Sequence, residues 1–143
     1  MSNAQEDFNH WLVQLSQRAA QARWRYLLVL SGDETWGLGL CTSATVLGDS
    51  QTLWLSARAP AGCWALEPAK ANTLLGSETA NIVFDAWSGF HPNAFAALAG
   101  TVRAGGLLVL LVPPLARWAY FDDPDYRRCA RYRGQLLALS HTQ

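Results

Sequence analysis

RYLLVLSGDETWG, at residues 25–37, contains the pattern from which the fold class is predicted. Residues 26–30 form an unbroken apolar run that is too short for a buried helix, and a Ser-Gly-Asp-Glu turn follows at once. This pattern predicts a buried parallel strand that leads into a helix. Ser31 and Glu34 have the spacing of a capping box, which predicts that the helix begins at Ser31.

The residues that follow the predicted strands are the first candidates for a site. Open α/β sheets bind ligands outside the carboxyl ends of their strands. Ser31, Asp33 and Glu34 follow the first strand, and Asp85 follows the third. For Asp85 a role in fixing its loop is favoured over a magnesium site, because no P-loop lysine is present to anchor a nucleotide.

Two glycines in the opening stretch have the spacing of a phosphate-binding loop. Gly32 and Gly37 match the glycines of such a loop, but Leu38 and Gly39 stand where it needs Lys and then Ser or Thr. The lysine would reach the phosphates and the hydroxyl would hold Mg²⁺. The glycines are therefore interpreted as part of a turn.

Apolar residues at helical spacing before this stretch predict a leading helix over 5–24. After it, short apolar runs at 52–56, 81–84 and 107–112 predict three more strands. Helical segments alternate with these strands. The prediction is an α/β, Rossmann-like three-layer domain with a mainly parallel four-stranded sheet flanked by helices. It is a single domain over 1–143, with a leading helix at 5–24, a βα core at 25–113 and a C-terminal loop and helix at 114–143. Strand apolarity favours the order 2-3-1-4, with the first strand inside the sheet.

Composition excludes several classes of protein. The chain is 50% hydrophobic and 15% charged, with a formal net charge of zero, so we expect a globular protein without a strong field for nucleic acid or membrane. Three scattered cysteines and three scattered histidines match no metal-ligand spacing, and we expect no metal. The cysteine usage favours a reducing cytoplasm. No apolar run approaches the ~20 residues of a membrane span, so no membrane association is expected.

No catalytic residue is predicted. Ser31 and Ser88 lack the flanking glycines of a nucleophile elbow, and His91 before Pro92 is better explained as a helix-start residue. The second strand ends in Ser-Ala-Arg. It therefore lacks the acidic residue that binds the ribose hydroxyls in NAD and S-adenosylmethionine sites.

Four blocks carry a family resemblance. They are LLVLSGDETW at 27–36, LLGSE at 74–78, VFDAWSGFHPNAFAALAGTVRAG at 83–105 and LLVLLVP at 107–113. In this order they resemble the N-terminal domain of the bacterial tRNA(Met) cytidine acetyltransferases. The segment after Ala119 matches that family least.

The resemblance implies a domain that precedes helicase-like and acetyltransferase modules of the same polypeptide. The parent enzymes make N4-acetylcytidine at the wobble base of tRNA(Met) with ATP, Mg and acetyl-CoA, and their catalytic parts lie beyond this chain. The resemblance thus implies a non-catalytic module without a cofactor of its own, which supports tRNA handling or inter-domain packing. The alternative is a small stand-alone nucleotide- or S-adenosylmethionine-binding enzyme of similar fold.

One stretch has a composition suited to RNA. Arginines are interleaved with Tyr126 and Tyr132, and two tryptophans in loops are further candidates for base stacking. A solvated helix face that pairs with nearby aspartates is the alternative. The RNA-binding candidates are Arg127, Arg128, Arg131, Arg133, Trp87 and Trp118.

Overall fold

The computed structural model describes residues 3–48, 51–66, 70 and 78–114. A parallel sheet of five strands forms its centre, in the order β1-β5-β4-β2-β3. The strands are β1 (Tyr26–Ser31), β2 (Thr52–Leu55), β3 (Trp64–Ala65), β4 (Thr79–Asp85) and β5 (Val102–Val112). The helices are α1 (Asn3–Ala22), α2 (Glu34–Ser43) and α3 (Pro92–Ala99), with short 3₁₀ helices at Thr45–Gly48 and Ala86–Ser88. The α/β class and the parallel sheet flanked by helices are confirmed, and the predicted number of four strands is wrong.

The additional strand is β3, which the sequence placed in a loop. Leu53 and Trp54 of β2 pair with Trp64 and Ala65, and the backbone N–H of Leu66 donates to the carbonyl of Trp54 at 2.9 Å. A two-residue strand leaves no alternation in the sequence, so its pairing depends on the neighbouring β2 alone.

The predicted strand order is wrong at one point. The predicted strands 1, 2, 3 and 4 correspond to β1, β2, β4 and β5. The prediction placed β1 beside β4 and β5 at the edge. In the structure β5 lies beside β4, and β1 lies at the edge. Apolar runs indicate burial but do not tell an inner strand from an edge strand that is covered on one face. Along β1 the exposure alternates, with Leu30 buried and with Leu27 and Val29 exposed.

Two hydrophobic clusters cover the two faces of the sheet. One face joins Val83, Val109 and Leu111 to Leu12 of α1 and Cys41 of α2. The opposite face joins side chains of β2, β4 and β5 to Ala94 and Leu98 of α3. Parallel sheets are normally buried in this way, since their crossover helices lie on the faces.

α3 begins where the sequence predicted. His91 is the N-cap, Nδ1 of its ring accepts a hydrogen bond from the N–H of Ala94 at 3.0 Å, and Pro92 occupies the first turn. A proline there loses no helical hydrogen bond. The helix ends at Ala99, and β5 begins three residues later at Val102.

Gly105 and Gly106 of β5 allow neighbouring backbones to approach closely. Gly105 has φ +91° and a Cβ built there would be 3.2 Å from Cα of Ala20, so α1 can pack directly on β5. A Cβ on Gly106 would be 2.2 Å from the carbonyl oxygen of Ala80 in β4. The register of β4 and β5 shifts next to this point, between Thr79 and Asn81.

The tryptophans of the helices and of the sheet differ in exposure. Trp11 on α1 and Trp36 on α2 are both nearly half exposed, whereas Trp54 in β2 is buried. No helix among the described residues has the length and apolarity needed to cross a membrane.

Candidate functional site

The carboxyl ends of β1, β2 and β4 bring the strand-end candidates to one edge of the sheet. Ser31 is the last residue of β1, Asp85 is the last residue of β4, and Ser56 follows β2 directly. Parallel pairing of β2 with β4 sets Leu55 beside Phe84, so the next residues, Ser56 and Asp85, are neighbours.

Asp85 lies at the centre of a buried polar group that we call the Asp85 cluster, formed by the side chains of Ser56, Asp85 and Ser88. Its carboxylate is fully buried. Oδ2 accepts hydrogen bonds from the hydroxyls of Ser56 at 2.7 Å and Ser88 at 3.0 Å, and Oδ1 accepts from the backbone N–H of Trp87 at 3.0 Å. Three donors are what a buried carboxylate needs to offset its loss of water.

The two hydroxyls of the cluster also hold the loop after β2. Ser56 Oγ accepts from the backbone N–H of Arg58, and Ser88 Oγ accepts from that of Ala57, both at 3.0 Å. The cluster therefore joins the loops that follow β2 and β4. The loop-fixing role expected for Asp85 is found here, and its carboxylate also caps the 3₁₀ helix that follows.

Ser31 and Glu34 do not form the predicted capping box. α2 begins at Glu34, its N-cap is Asp33, and the Asp33 side chain makes no capping hydrogen bond. Ser31 stays in β1 opposite Val112, and its hydroxyl donates to the carbonyl of Pro113 at 3.3 Å. The prediction fails because the neighbouring strand β5 offers Ser31 a partner that the local sequence does not contain.

Glu34 instead pairs across the edge of the sheet. Its Oε1 lies 3.4 Å from Nε of Arg58, which follows β2. Burial raises the pKa of Glu34, the Arg58 guanidinium partly opposes this, and the charges of Asp85 and Asp33 raise it further. The charges of Asp33 and Asp85 thus both act on the carboxyl group of Glu34.

Cys41 of α2 lies under the same edge. Burial, with a contribution from the charge of Asp85, raises the pKa of Cys41 to about 12. A thiol that stays protonated is a poor nucleophile and a poor metal ligand. Cys41 therefore acts as a core side chain.

The described part of the edge does not have the composition of a metal site. Among the described residues, no group of three or more His, Cys, Asp or Glu side chains converges to hold an ion. The oxygens of Asp85 already accept hydrogen bonds from three protein donors. The arrangement stabilises a buried carboxylate by hydrogen bonds and fixes two loops.

The RNA candidates are mostly outside this description. Trp87 lies half-buried in the 3₁₀ helix next to Asp85. Trp118 and the basic cluster Arg127, Arg128, Arg131 and Arg133 fall outside the described residues.

A cavity of about 600 Å³ lies at the opposite, amino edge of the sheet, away from all these candidates. Ser16, Asn81 and Arg103 are among its lining residues. Asn81 is committed to the fold, since its Oδ1 accepts from the N–H of Leu107 at 3.0 Å and its Nδ2 donates to Thr52. Arg103 donates to the side chain of Gln51 at 3.2 Å.

Comparison with known sequences gives the family. The model for the N-terminal region of the tRNA(Met) cytidine acetyltransferase TmcA matches residues 1–138. The chain belongs to this family. The match includes much of the segment after Ala119, which the resemblance read from the sequence had covered least.

Individual relatives carry the same description. The tRNA(Met) cytidine acetyltransferase TmcA of Nitrosococcus halophilus is 47% identical over 109 residues, which is 73% of this chain and 14% of that protein. That of Citrobacter koseri is 44% identical over 122 residues, 84% of this chain and 18% of that protein. That of Haloferax volcanii is 33% identical over 136 residues, 85% of this chain and 18% of that protein. The chain thus spans less than a fifth of the length of these relatives.

In this TmcA-family chain, three residues at the carboxyl edge of the sheet have roles that the sequence analysis did not predict. Ser56 and Ser88 complete the Asp85 cluster, and Arg58 pairs with Glu34. The available signal was positional, because Ser56 and Arg58 follow a predicted strand just as Asp85 does. The predicted order 2-3-1-4 already set the second strand beside the third, as β2 and β4 are found, but it did not show which side chains at these ends would share hydrogen bonds.

Proposed function

We propose that this chain is a non-catalytic, Rossmann-like N-terminal module of a tRNA(Met) cytidine acetyltransferase, and that it supports tRNA handling or packing between modules. Its family membership and the small share of its relatives that it spans support this proposal. In this proposal the reaction takes place in helicase-like and acetyltransferase modules of the same polypeptide. ATP, Mg and acetyl-CoA bind there, and this chain holds no cofactor.

The observation that carries the non-catalytic role is the state of the carboxyl edge. This is where an open α/β sheet would bind its ligand. Here the buried carboxylate of Asp85 is used by Ser56, Ser88 and the Trp87 backbone. A reactive carboxylate in a cleft would instead face its substrate.

The start of α2 argues in the same direction. A nucleotide phosphate binds at a helix N-terminus because the backbone N–H groups and the helix dipole favour negative charge there. In this chain Asp33 and Glu34 already place two carboxylates at that position. The ring of Trp36 also lies against Gly32, since a Cβ built on Gly32 would be 2.8 Å from it. Charge repulsion and the indole ring both disfavour a phosphate.

Substitution in the full-length acetyltransferase tests this proposal. We expect Asp33→Asn and Glu34→Gln, together, to leave acetylation of tRNA within about twofold, because neither carboxylate takes part in the reaction. The same change of charge on α1, Glu6→Gln with Asp7→Asn, is the matched control. A loss of a hundredfold or more in the first variant alone, with an unchanged melting temperature, would show that the edge is catalytic.

Titration calorimetry of the 143-residue chain with Mg-ATP is the second measurement. No heat of binding is expected at micromolar concentrations. A micromolar dissociation constant would favour the alternative of a nucleotide-binding enzyme, which no contact among the described residues specifically supports.

A further inference from the structure

The charged residues near the strand ends are separated by sign between the two edges of the sheet. Among the described residues within three positions of a strand end, three acids and one base lie at the carboxyl edge, namely Asp33, Glu34, Asp85 and Arg58. Three bases and one acid from the same part of the chain lie at the amino edge, namely Arg23, Arg25, Arg103 and Glu78. The described amino edge therefore carries an excess of positive charge, although the formal net charge of the whole chain is zero. A positive surface of this kind attracts anions.

Two of these arginines lie together at the start of β5. Nε of Arg25 donates to the carbonyl of Val102, and Arg103 is the next residue of that strand. Arg103 lines the cavity at this edge and donates to the side chain of Gln51 at 3.2 Å. Both arginines are exposed, and among the described residues neither forms an ion pair with a carboxylate. A guanidinium has five N–H donors in a geometry that matches phosphate, so both arginines keep donors for an anion.

Trp24 lies beside the same cavity and is exposed to solvent. Its carbonyl accepts a hydrogen bond at 2.8 Å from the N–H of Gly105, which is a lining residue of the cavity. Its own N–H donates to the carbonyl of Ala19 at 3.0 Å, and its ring meets the ring of Tyr26 edge-on, with 6.0 Å between the centroids. Trp24 is nevertheless 60% exposed. A tryptophan whose backbone is held and whose side chain is exposed is suited to stack on an unpaired base.

The arginines, the tryptophan and the cavity together fit one class of ligand. Arginine binds phosphate groups and an exposed aromatic ring stacks on bases, which is the combination found where proteins bind single-stranded nucleic acid. A duplex does not offer its paired bases to such a ring. The cavity of about 600 Å³ lies within the usual size range of ligand pockets and has room for a nucleotide.

We propose that the amino edge of the sheet binds a single-stranded segment of RNA, with Arg25 and Arg103 on its phosphates and Trp24 stacked on a base. The inference rests on the proposed function, because it names the surface through which the chain handles tRNA. It uses none of the RNA-binding candidates that the sequence predicted.

Fluorescence anisotropy of the 143-residue chain with a labelled oligouridine of about ten nucleotides tests this site. Arg25→Gln with Arg103→Gln should weaken binding about tenfold or more, because charge-assisted hydrogen bonds to phosphate are lost. The double variant should also lower the slope of log affinity against log salt by about 1.4, since each phosphate contact with a single strand contributes about 0.7. Arg18→Gln with Arg58→Gln removes the same charge at exposed positions outside the cavity and should change the affinity by less than about threefold.

Changes at Trp24 test the stacking separately. Trp24→Ala should weaken binding about fivefold or more, and Trp24→Phe, which keeps an aromatic ring, should weaken it less. Trp11→Ala also removes an exposed tryptophan and is the matched control, with no change expected. The wild type should bind a duplex of the same length more weakly than the single strand, since paired bases cannot stack on Trp24. Circular dichroism checks that each variant stays folded.

Three results would overturn the proposal. Absence of binding to oligouridine and to tRNA at micromolar concentrations would mean that the amino edge serves another kind of partner. Equal affinities for the wild type, for Arg25→Gln with Arg103→Gln and for Trp24→Ala would mean that RNA binds elsewhere on the chain. Displacement of the RNA by an equal concentration of inorganic phosphate would mean that the site takes a free anion. None of these results changes the test of the non-catalytic role, which concerns Asp33 and Glu34 in the full-length acetyltransferase.

Discussion

At the scale of single residues, Asp85 is the side chain on which the carboxyl edge depends. Its carboxylate is fully buried and joins Ser56 after β2 to Ser88 after β4. This acceptor is costly to remove, since the buried Ser56 hydroxyl loses it and two part-buried donors, the Ser88 hydroxyl and the Trp87 N–H, lose it as well.

Asp85→Ala should lower the free energy of unfolding by about 3 kcal/mol, because the buried Ser56 hydroxyl and the part-buried Ser88 hydroxyl and Trp87 N–H all lose their acceptor. Urea denaturation measures the change. Asp7→Ala, at an exposed position of α1, is the control and should stay within about 0.5 kcal/mol. A change equally small for Asp85→Ala would contradict the role assigned to the cluster.

Glu34 should make stability depend on pH. Burial raises the pKa of Glu34 above its ordinary value of 4.5, so the folded chain holds this proton at a pH where the unfolded chain has released it. The contribution of Glu34 to stability is therefore fully present below about pH 4.5 and is lost as the pH rises through the higher pKa of the folded state.

Denaturation of the wild-type chain and of Glu34→Gln across pH 4 to 7 measures this effect. The stability of the wild type relative to Glu34→Gln should decrease as the pH rises. Parallel profiles, or a relative stability that increases with pH, would show that burial is not the dominant influence on this carboxyl group.

At the scale of elements, the pairing of β4 with β5 depends on a glycine. A Cβ at Gly106 would be 2.2 Å from the Ala80 carbonyl and 2.6 Å from Cγ1 of Val102. The carbonyl belongs to a strand in the middle of the sheet and has no room to move aside.

Gly106→Ala should therefore cost about 3 kcal/mol or more, at the upper end of what added volume in a packed interior costs. Gly48→Ala is the matched control, because a Cβ there meets nothing within 4 Å, and it should change stability by about 0.5 kcal/mol or less. Thermal or urea unfolding of both variants compares them. Equal stabilities would mean that β4 and β5 are less closely apposed at this point.

At the scale of the whole molecule, the basic cluster Arg127, Arg128, Arg131 and Arg133 is a second candidate surface for tRNA. If all four arginines meet phosphates, binding should weaken roughly 50- to 150-fold between 50 and 200 mM salt, through the release of about 0.7 to 0.9 counterions per contact. Fluorescence anisotropy with tRNA across that range, for the wild type and for the fourfold change to glutamine, measures the effect. Equal affinities, or a salt slope near zero, would assign the cluster to an ordinary solvated surface.

The sequence by itself determined the α/β class, the parallel strands, the start of α3 at His91 and Pro92, and the family. These are local properties or long matched blocks. Apolar runs indicate strands, and the geometry of proline indicates the start of a helix. The strand-end placement of Ser31, Asp33, Glu34 and Asp85 was local in the same sense.

The place of β1 in the sheet, and the side chains that the strand ends share, became known only from the tertiary structure. The edge position of β1 was not predicted, because an apolar run indicates burial but does not identify the neighbouring strands. The short β3 was not predicted, because it is defined only by its pairing with β2. Ser31 donates to the carbonyl of Pro113 and does not cap α2, and Ser56 donates to Asp85. In both hydrogen bonds the two residues are far apart in the chain. Ser88 also donates to Asp85. The physical reason is common to all of these. Hydrogen bonds between strands join groups that only the folded sheet brings together, and no pattern of nearby residues encodes the partner.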